Sequence, residues 1–195
     1  MSVRHSHTTS DYIPWDTAIN LTHKLYKDGD YRMSLLVASG IMLGLRISDL
    51  LTLSWSQLLS REFAITEQKT GKIRRLTVNK DLLAHVKDCY SALRITDVHQ
   101  PCFISRYGHI VSVQLVNRQL KTIKVRYHLK GNISTHSLRK TFARAIWERQ
   151  NALGNGSVAL VYLQELLNHA SPAISRRYLG IQQQELGQLY DLLSF

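Results

Sequence analysis

The sequence predicts a mainly α-helical fold with one small antiparallel β-sheet, an α+β architecture, and three observations predict it. The 195 residues are 44% hydrophobic and 20% charged, which is enough to bury a core. We expect one domain, residues 1–195, and at most a second small one. Most of the chain repeats apolar residues at helical spacing. Residues 62–66 and 73–78 have strand character instead, and the turn sequence Lys69-Thr70-Gly71-Lys72 joins them, so Lys69 is expected in a hairpin.

Three helices are predicted before the hairpin. The first has Pro14 in its first turn and ends near residue 28. The second, residues 31–43, is capped by Asp30 and is apolar nearly all round, which implies that it is buried. A short third helix covers residues 48–53.

The segment after the hairpin is also predicted to be helical. Residues 112–127 form an amphipathic helix with a basic polar face, and Ser134 and Thr135 can cap the helix that follows. The predicted helices cover residues 81–93, 112–127, 137–149, 158–167, a short segment opened by Pro172 that carries Tyr178, and 182–193.

Composition limits where the protein can act. The longest apolar stretch, residues 35–45, is too short to cross a bilayer, and the N-terminus lacks the apolar core of a secretory signal. We therefore expect a cytoplasmic protein with no membrane partner and a flexible segment at residues 1–10. Cys89 and Cys102 match no zinc spacing, so both are expected to be packing or surface residues, and no metal or cofactor is expected.

The net charge of +11 is unevenly distributed along the chain. Residues 61–150 carry 18 basic and six acidic side chains, a net +12, whereas the segments on either side are nearly neutral. No Asp or Glu occurs between Val98 and Trp147. Such a patch typically faces nucleic acid, because each neutralised phosphate releases counterions. A solvated basic face or a membrane-surface patch are the alternatives.

Six residues could carry chemistry, although each is weak when taken alone. Arg46 and His169 could equally interact with helix ends, and Lys69 could be a solubilising residue of the turn. Tyr178 could pack at an edge of the core. A His-x-x-Arg pair such as His136 and Arg139 is also expected by chance in a chain with this composition.

In sequence order, these residues form motifs. The first is Gly44-Leu45-Arg46-Ile47-Ser48-Asp49-Leu50-Leu51, continued by Leu53-Ser54-Trp55, and it resembles the first arginine box of tyrosine recombinases of the phage-integrase type. Lys69 resembles the catalytic lysine of that family, and His136-Ser137-Leu138-Arg139 resembles its His-x-x-Arg box. Leu167-Asn168-His169 followed by Arg177-Tyr178-Leu179 resembles the terminal His and Tyr box. The resemblance covers about residues 10–190 and implies the tyrosine recombinase catalytic-domain fold.

The resemblance implies a role for each residue in cutting and rejoining DNA. Arg46, Arg139 and His169 would contact the non-bridging phosphate oxygens, and Tyr178 would attack phosphorus to give a 3′-phosphotyrosine link. His136 would accept the phenolic proton, and Lys69 would protonate the departing 5′ oxygen. Asp49 is expected to orient a neighbouring helix or a basic residue.

Double-stranded DNA is the expected partner, and the resemblance implies a homo-oligomer: a tetramer on DNA and a monomer when free. The basic helix is the best candidate for contacting phosphates. The DNA-binding residues we predict are Arg118, Lys121, Lys124, Arg126, Lys130 and Lys140.

Three departures from the family pattern remove no reacting group. Asn168 stands where glycine is common, Lys140 replaces a frequent second histidine, and the loop at residues 151–157 lengthens the gap between the last two boxes. They concern the local backbone beside His169 and the contacts of the loop. About ten residues precede the first helix, so no separate N-terminal core-binding domain is expected in this sequence. Two interpretations stay open, an excised catalytic domain and a naturally short recombinase similar to the fimbrial-switch invertases.

Two other functions remain open from the sequence. A type IB topoisomerase-like enzyme would share the nucleophile and the arginines but would relax DNA without exchanging strands. A non-catalytic DNA-binding regulator could keep the same fold. The sequence has no acidic cluster suited to two-metal phosphoryl transfer and no nucleotide-binding Gly-x-x-x-x-Gly-Lys loop, which favours an ATP- and metal-independent reaction.

Overall fold

The computed structural model describes residues 10–167 and Leu179, and the chain divides into two compact units, Met1–Phe142 and Ala143–Phe195. The described part is mainly helical with one two-stranded antiparallel sheet, so the predicted fold class is confirmed. The elements are α1 Trp15–Lys27, α2 Tyr31–Leu43, α3 Ile47–Leu51, α4 Trp55–Leu59, β1 Glu62–Thr66, β2 Ile73–Thr77, α5 Lys80–Ala92, α6 Val113–Arg126, α7 Thr135–Ala152 and α8 Gly156–Leu166.

Helix α2 forms the centre of the first unit. Ten of its 13 residues are buried, as its uniformly apolar sequence predicts, and it packs against α1 and α5. The Asp30 side chain caps it by accepting from the Met33 N–H at 3.3 Å, which confirms the predicted cap. A Cβ atom added at Gly40 would come within 2.7 Å of Leu138 on α7, so this glycine permits close packing of the two helices.

The structure adds one helix that the sequence prediction lacked. Helix α4 starts at a capping box in which Ser54 accepts from the Gln57 N–H and the Gln57 side chain accepts from the Ser54 N–H. Trp55 in this helix is fully buried and makes an edge contact with Tyr90, with ring centroids 5.4 Å apart, within the usual range for such pairs. The preceding helix α3 consequently ends at Leu51, two residues before its predicted end.

The hairpin was predicted almost to the residue. Strands β1 and β2 pair antiparallel from Glu62 opposite Thr77 to Thr66 opposite Ile73. The β2 residues alternate between exposed and buried, so Arg74 and Leu76 face inward. Lys69 lies in the turn between the strands, as predicted.

The later helices follow the prediction with shifts of a few residues at their ends. Ser112 caps α6 by accepting from the Leu115 N–H at 3.2 Å. Helix α7 starts two residues earlier and ends three residues later than predicted, and α8 starts two residues earlier. The helices predicted around Tyr178 and at residues 182–193 lie outside the described residues.

In the second unit, Arg144 on α7 bonds to Glu148 one turn later at 2.6 Å. Its guanidinium also lies over the Trp147 ring, 5.0 Å from the ring centroid. Ala159 and Leu163 on α8 are fully buried, and so is Leu167 just after the helix. Among the described helices of both units, none combines the length and apolar character needed to cross a bilayer.

Candidate active site

Arg46 occupies a sharp corner between α2 and α3. Gly44 ends α2 with a φ of 58°, and a Cβ atom there would overlap the ring of Phe142, so both the backbone and the packing require glycine. The chain then turns, and Arg46 precedes the first residue of α3 with an extended backbone. Its side chain is 19% exposed, so the guanidinium lies close to the surface without being fully solvated.

Two further arginines bind the C-terminal end of α2. Arg139 on α7 is only 2% exposed, and its Nη1 donates to the Gly44 carbonyl at 2.6 Å. Arg74 on β2 donates through Nη2 to the Leu43 carbonyl at 2.8 Å. Both satisfy carbonyls that have no partner within the helix and face the negative end of its dipole. Arg139 is thus anchored two residues from Arg46, so the structure brings the two predicted phosphate-binding arginines together.

A buried carboxylate, which the sequence analysis does not predict, lies between Arg46 and Arg74. Glu67 is fully buried, and its Oε2 is 2.7 Å from Arg46 Nη1 while its Oε1 is 3.8 Å from Arg74 Nη1. The Thr70 hydroxyl donates to the same Oε2 at 2.8 Å. The signal that could have revealed the cluster is the strand alternation that points Arg74 inward, because a buried charge needs a partner.

Burial changes the acidity of Arg74. Desolvation lowers its pKa to about 10, and the neighbouring Arg46 charge acts in the same direction, while Glu67 and Asp49 act to raise it. The guanidinium therefore remains charged at neutral pH and depends on these two carboxylates for compensation.

Asp49 joins this cluster to the hairpin turn. It is 2% exposed, and its Oδ1 accepts from the Gln68 N–H at 2.9 Å. The sequence reasoning expected Asp49 to orient a helix or a basic residue. The structure shows it holding the backbone next to Lys69, while its charge also acts on Arg74.

Lys69 and His136 are both exposed, and the positive charge of Lys69 acts on the His136 imidazole. The pKa of His136 is lowered, first because partial desolvation disfavours the imidazolium and then because Lys140, Arg139 and Lys69 add positive charge. The shift favours the neutral imidazole, the form of His136 that can accept a proton. The structure thus brings together the predicted residues Arg46, Lys69, His136 and Arg139, whereas His169 and Tyr178 lie outside the described residues.

The predicted DNA-binding residues differ in their surroundings. Exposed members are Arg118, Lys121, Arg126 and Lys130, and Lys124 is partly buried. Arg126 forms an ion pair with Asp28 at 2.9 Å. Lys140 is partly buried, and its ammonium donates to the Ser10 carbonyl at 2.6 Å. The exposed positions on α6 are therefore better placed to meet a ligand than Lys140 is.

The two cysteines are packing residues, as predicted. Cys89 and Cys102 are fully buried free thiols, and burial raises the pKa of Cys89 to about 12. Neither is a reactive nucleophile at neutral pH. Within residues 10–167 and Leu179, no group of three or more His, Cys, Asp or Glu residues has an arrangement that could hold a metal ion.

Comparison with known proteins identifies the family. Residues 18–185 match the model of the phage integrase family. The chain is 30% identical over 153 residues to tyrosine recombinase XerC of Alcanivorax borkumensis, covering 76% of this chain and 47% of the relative. It is 31% identical over 146 residues to the probable integrase/recombinase YoeC of Bacillus subtilis, covering 74% and 75% of the two chains. The chain thus spans about half the length of the XerC relatives and three quarters of YoeC.

Solved structures agree on the fold. The XerA recombinase superposes with a TM-score of 0.71 at 20% identity, covering 96% of this chain and 66% of that one. The catalytic domain of bacteriophage HP1 integrase has a TM-score of 0.58 at 18% identity, covering 93% and 94%. At these identities the likeness concerns the fold alone, but the family match covers most of the sequence. The chain belongs to the phage integrase family and has the tyrosine recombinase catalytic-domain fold.

Proposed function

We propose that this protein is a site-specific DNA recombinase that cleaves and rejoins strands through a 3′-phosphotyrosine link at Tyr178. The observation that carries the proposal is the meeting of Arg46 and Arg139 at the end of α2. The hairpin turn that carries Lys69 is tied to Arg46 by buried Glu67, which accepts from Thr70. The same turn is tied to α3 by buried Asp49. Membership of the family supports the proposal. Residues 1–195 would form the catalytic domain.

The two arginines suit the charge of the reaction. A phosphodiester carries one negative charge, and more negative charge builds up on its non-bridging oxygens in the pentacoordinate transition state. A guanidinium cannot lose its charge at neutral pH and presents a planar fork of donors to two oxygens. Because Arg46 and Arg139 are held by carboxylate and carbonyl groups, they need little rearrangement when the charge develops. His169 would add a further hydrogen bond to these oxygens.

Two proton transfers complete the step. The phenol of Tyr178 is a weak nucleophile until its proton is removed, and neutral His136 would accept that proton. The tyrosyl oxygen then bonds to phosphorus, and the bond from phosphorus to the 5′ oxygen breaks. Lys69 would give a proton to this departing oxygen, which becomes a 5′ hydroxyl.

Rejoining reverses the same step. A 5′ hydroxyl attacks the phosphotyrosine, Tyr178 leaves, and a phosphodiester forms again. Because the ester keeps the energy of the broken bond, the cycle consumes no ATP. The cationic side chains would supply the charge that metal ions supply in other phosphoryl transfers, so we propose a metal-independent reaction.

The proposed partner is double-stranded DNA in the cytoplasm, bound by a tetramer that assembles from monomers. XerH is described in a post-cleavage complex with its difH substrate, and lambda integrase as a dimer on a core site. In this chain the exposed residues Arg118 and Lys121 on α6 would contact phosphates.

The direct test uses a nicked suicide substrate, which loses the strand end needed for rejoining and traps the covalent complex. On a denaturing gel, the wild-type protein should yield a DNA adduct, and Tyr178→Phe should bind DNA but yield none. Tyr162→Phe is a matched control, because Tyr162 is an exposed tyrosine on α8. An adduct in Tyr178→Phe would refute this nucleophile. Relaxation of supercoiled DNA without strand exchange would favour a topoisomerase-like enzyme instead.

A further inference from the structure

Glu67 makes more contacts with the predicted site than its place in a hairpin turn would require. Its carboxylate is fully buried and bonds to Arg46 at 2.7 Å and to the Thr70 hydroxyl at 2.8 Å. The backbone carbonyl of Glu67 also accepts from the Gly71 N–H at 2.8 Å, and its N–H donates to the Lys72 carbonyl. Lys69 lies inside the loop that these bonds close.

A second connection runs parallel to the first. Asp49, three residues after Arg46, accepts from the Gln68 N–H at 2.9 Å, and the Gln68 side chain donates to the Ser48 carbonyl at 3.2 Å. The start of α3 therefore holds the residue on one side of Lys69, and Glu67 together with Thr70 ties the other side to Arg46. A turn bound at both sides has a restricted set of positions relative to the arginine.

A fully buried carboxylate is costly unless it is compensated. A solubilising hairpin would keep its charges in water, and the exposed Glu62 at the start of β1 shows that the same hairpin can do so. Glu67 instead pairs its buried carboxylate with Arg46, the arginine that would bind the phosphate. A general acid must lie within hydrogen-bonding reach of the departing oxygen of that same phosphate. The rate of the proposed reaction therefore depends on the distance between Arg46 and the hairpin turn that carries Lys69.

We propose that Glu67 is a positioning residue that couples the Lys69 turn to Arg46, so that the proton donor and the phosphate-binding arginine keep one geometry. The inference rests on the proposed function, because it assigns Lys69 the role of acid. Glu67 itself does not touch DNA. Thr70 is the link between the carboxylate and the turn.

The test combines Glu67→Gln with two DNA substrates. Glutamine keeps the shape of the side chain but removes the charge that holds Arg46. Covalent complex formation at saturating DNA should slow about 10-fold, while the affinity for DNA changes less than about twofold, since misplacing a catalytic group costs rate rather than binding. Glu62→Gln is the matched control and should cleave at the wild-type rate.

A substrate with a 5′-thiol leaving group identifies which group has moved, because a thiolate departs without a proton. The loss in Glu67→Gln should shrink to within about threefold on this substrate if the Lys69 turn is displaced. An equal loss on both substrates would overturn the coupling to Lys69, and a wild-type rate on both would overturn any role for Glu67.

Thr70 provides a second pair of variants with little risk to folding, because its side chain is exposed. Thr70→Val removes the hydroxyl that bonds to Glu67. It should slow covalent complex formation less than Glu67→Gln does, and the substrate with the 5′-thiol leaving group should restore the rate. Thr70→Ser keeps the hydroxyl and should cleave like the wild type. If Glu67→Gln fails to fold, the two Thr70 variants decide, and equal cleavage rates for Thr70→Val and Thr70→Ser overturn the proposal.

A wild-type protein that forms no adduct overturns the proposed function and this inference together, whereas wild-type cleavage with an unaffected Glu67→Gln overturns only the inference.

Discussion

At the corner between α2 and α3, positive charge is paired with a buried carboxylate and largely removed from solvent, whereas along α6 it is exposed to solvent. Arg46 and Arg74 share Glu67 in the first region, and Arg118 and Lys121 extend into water in the second. The comparison shows that positive charge can serve two different purposes in this protein. A guanidinium held by a buried carboxylate has a defined position, which catalysis needs. A solvated cation gains affinity for a polyanion by releasing counterions, and this needs no defined position.

The largest expected effect is on the paired arginine. Arg46→Lys can still reach Glu67, but an ammonium is a point charge and lacks the planar fork of donors. We expect cleavage to fall by a factor of several hundred, comparable to the loss of a preorganised donor in other enzymes. Single-turnover cleavage of the suicide substrate measures this, with the exposed Arg61→Lys as control. Similar rates for the two variants would contradict a positional role for Arg46.

Stability should distinguish two neighbouring arginines on β2. Arg74 is buried against Glu67 and the end of α2, whereas Arg75 is exposed. Arg74→Ala should lower the free energy of unfolding by about 3 kcal/mol, because it leaves the Leu43 carbonyl without its donor and removes one of the two cations that compensate the buried Glu67. Arg75→Ala should change it by less than about 0.5 kcal/mol. Urea titration measures both, and equal effects would show that the buried cluster contributes little to stability.

The salt dependence of DNA binding tests the exposed region. Arg118→Gln should reduce the slope of log affinity against log salt by about one, since one phosphate contact is lost. Arg126→Gln should reduce it less, because Asp28 already partly neutralises Arg126 in the free protein. Arg46→Lys keeps its charge and should leave the slope unchanged. A larger change for Arg126 than for Arg118 would mean that DNA displaces Asp28.

The smallest expected effect is a shift in the pKa of His136 when the charge of Lys69 is removed. The pKa of His136 lies below its ordinary value, and the positive charge of Lys69 is one cause. Lys69→Gln should therefore raise the pKa of His136, and the distant Lys130→Gln should not. An NMR titration of the imidazole measures the change. If neither variant shifts the titration, Lys69 does not lie beside His136 in solution.

The resemblance predicted more of the site than the charge pattern did. Arg46, Lys69, His136 and Arg139 were selected by their motifs, and the structure gathers these four in the first unit. Glu67 was not selected, because nothing in a Glu-Gln-Lys-Thr turn distinguishes a buried acid from an exposed one. Its partner Arg46 is 21 residues away in sequence, and only packing brings the two together.

Local order was determined by the sequence itself. The apolar run and the Asp30 cap placed α2 at its observed bounds, and turn chemistry placed Lys69 between β1 and β2, because these signals depend on residues only a few positions apart. The capping box of α4 was equally local, and Ser54 followed three residues later by Gln57 was the signal for it. The tertiary structure alone decided which charges are paired, namely Arg46 with Glu67 and Asp49 with the Gln68 backbone. Pairing between distant residues depends on how the elements pack, and packing determines which charges lose their water and must find a partner.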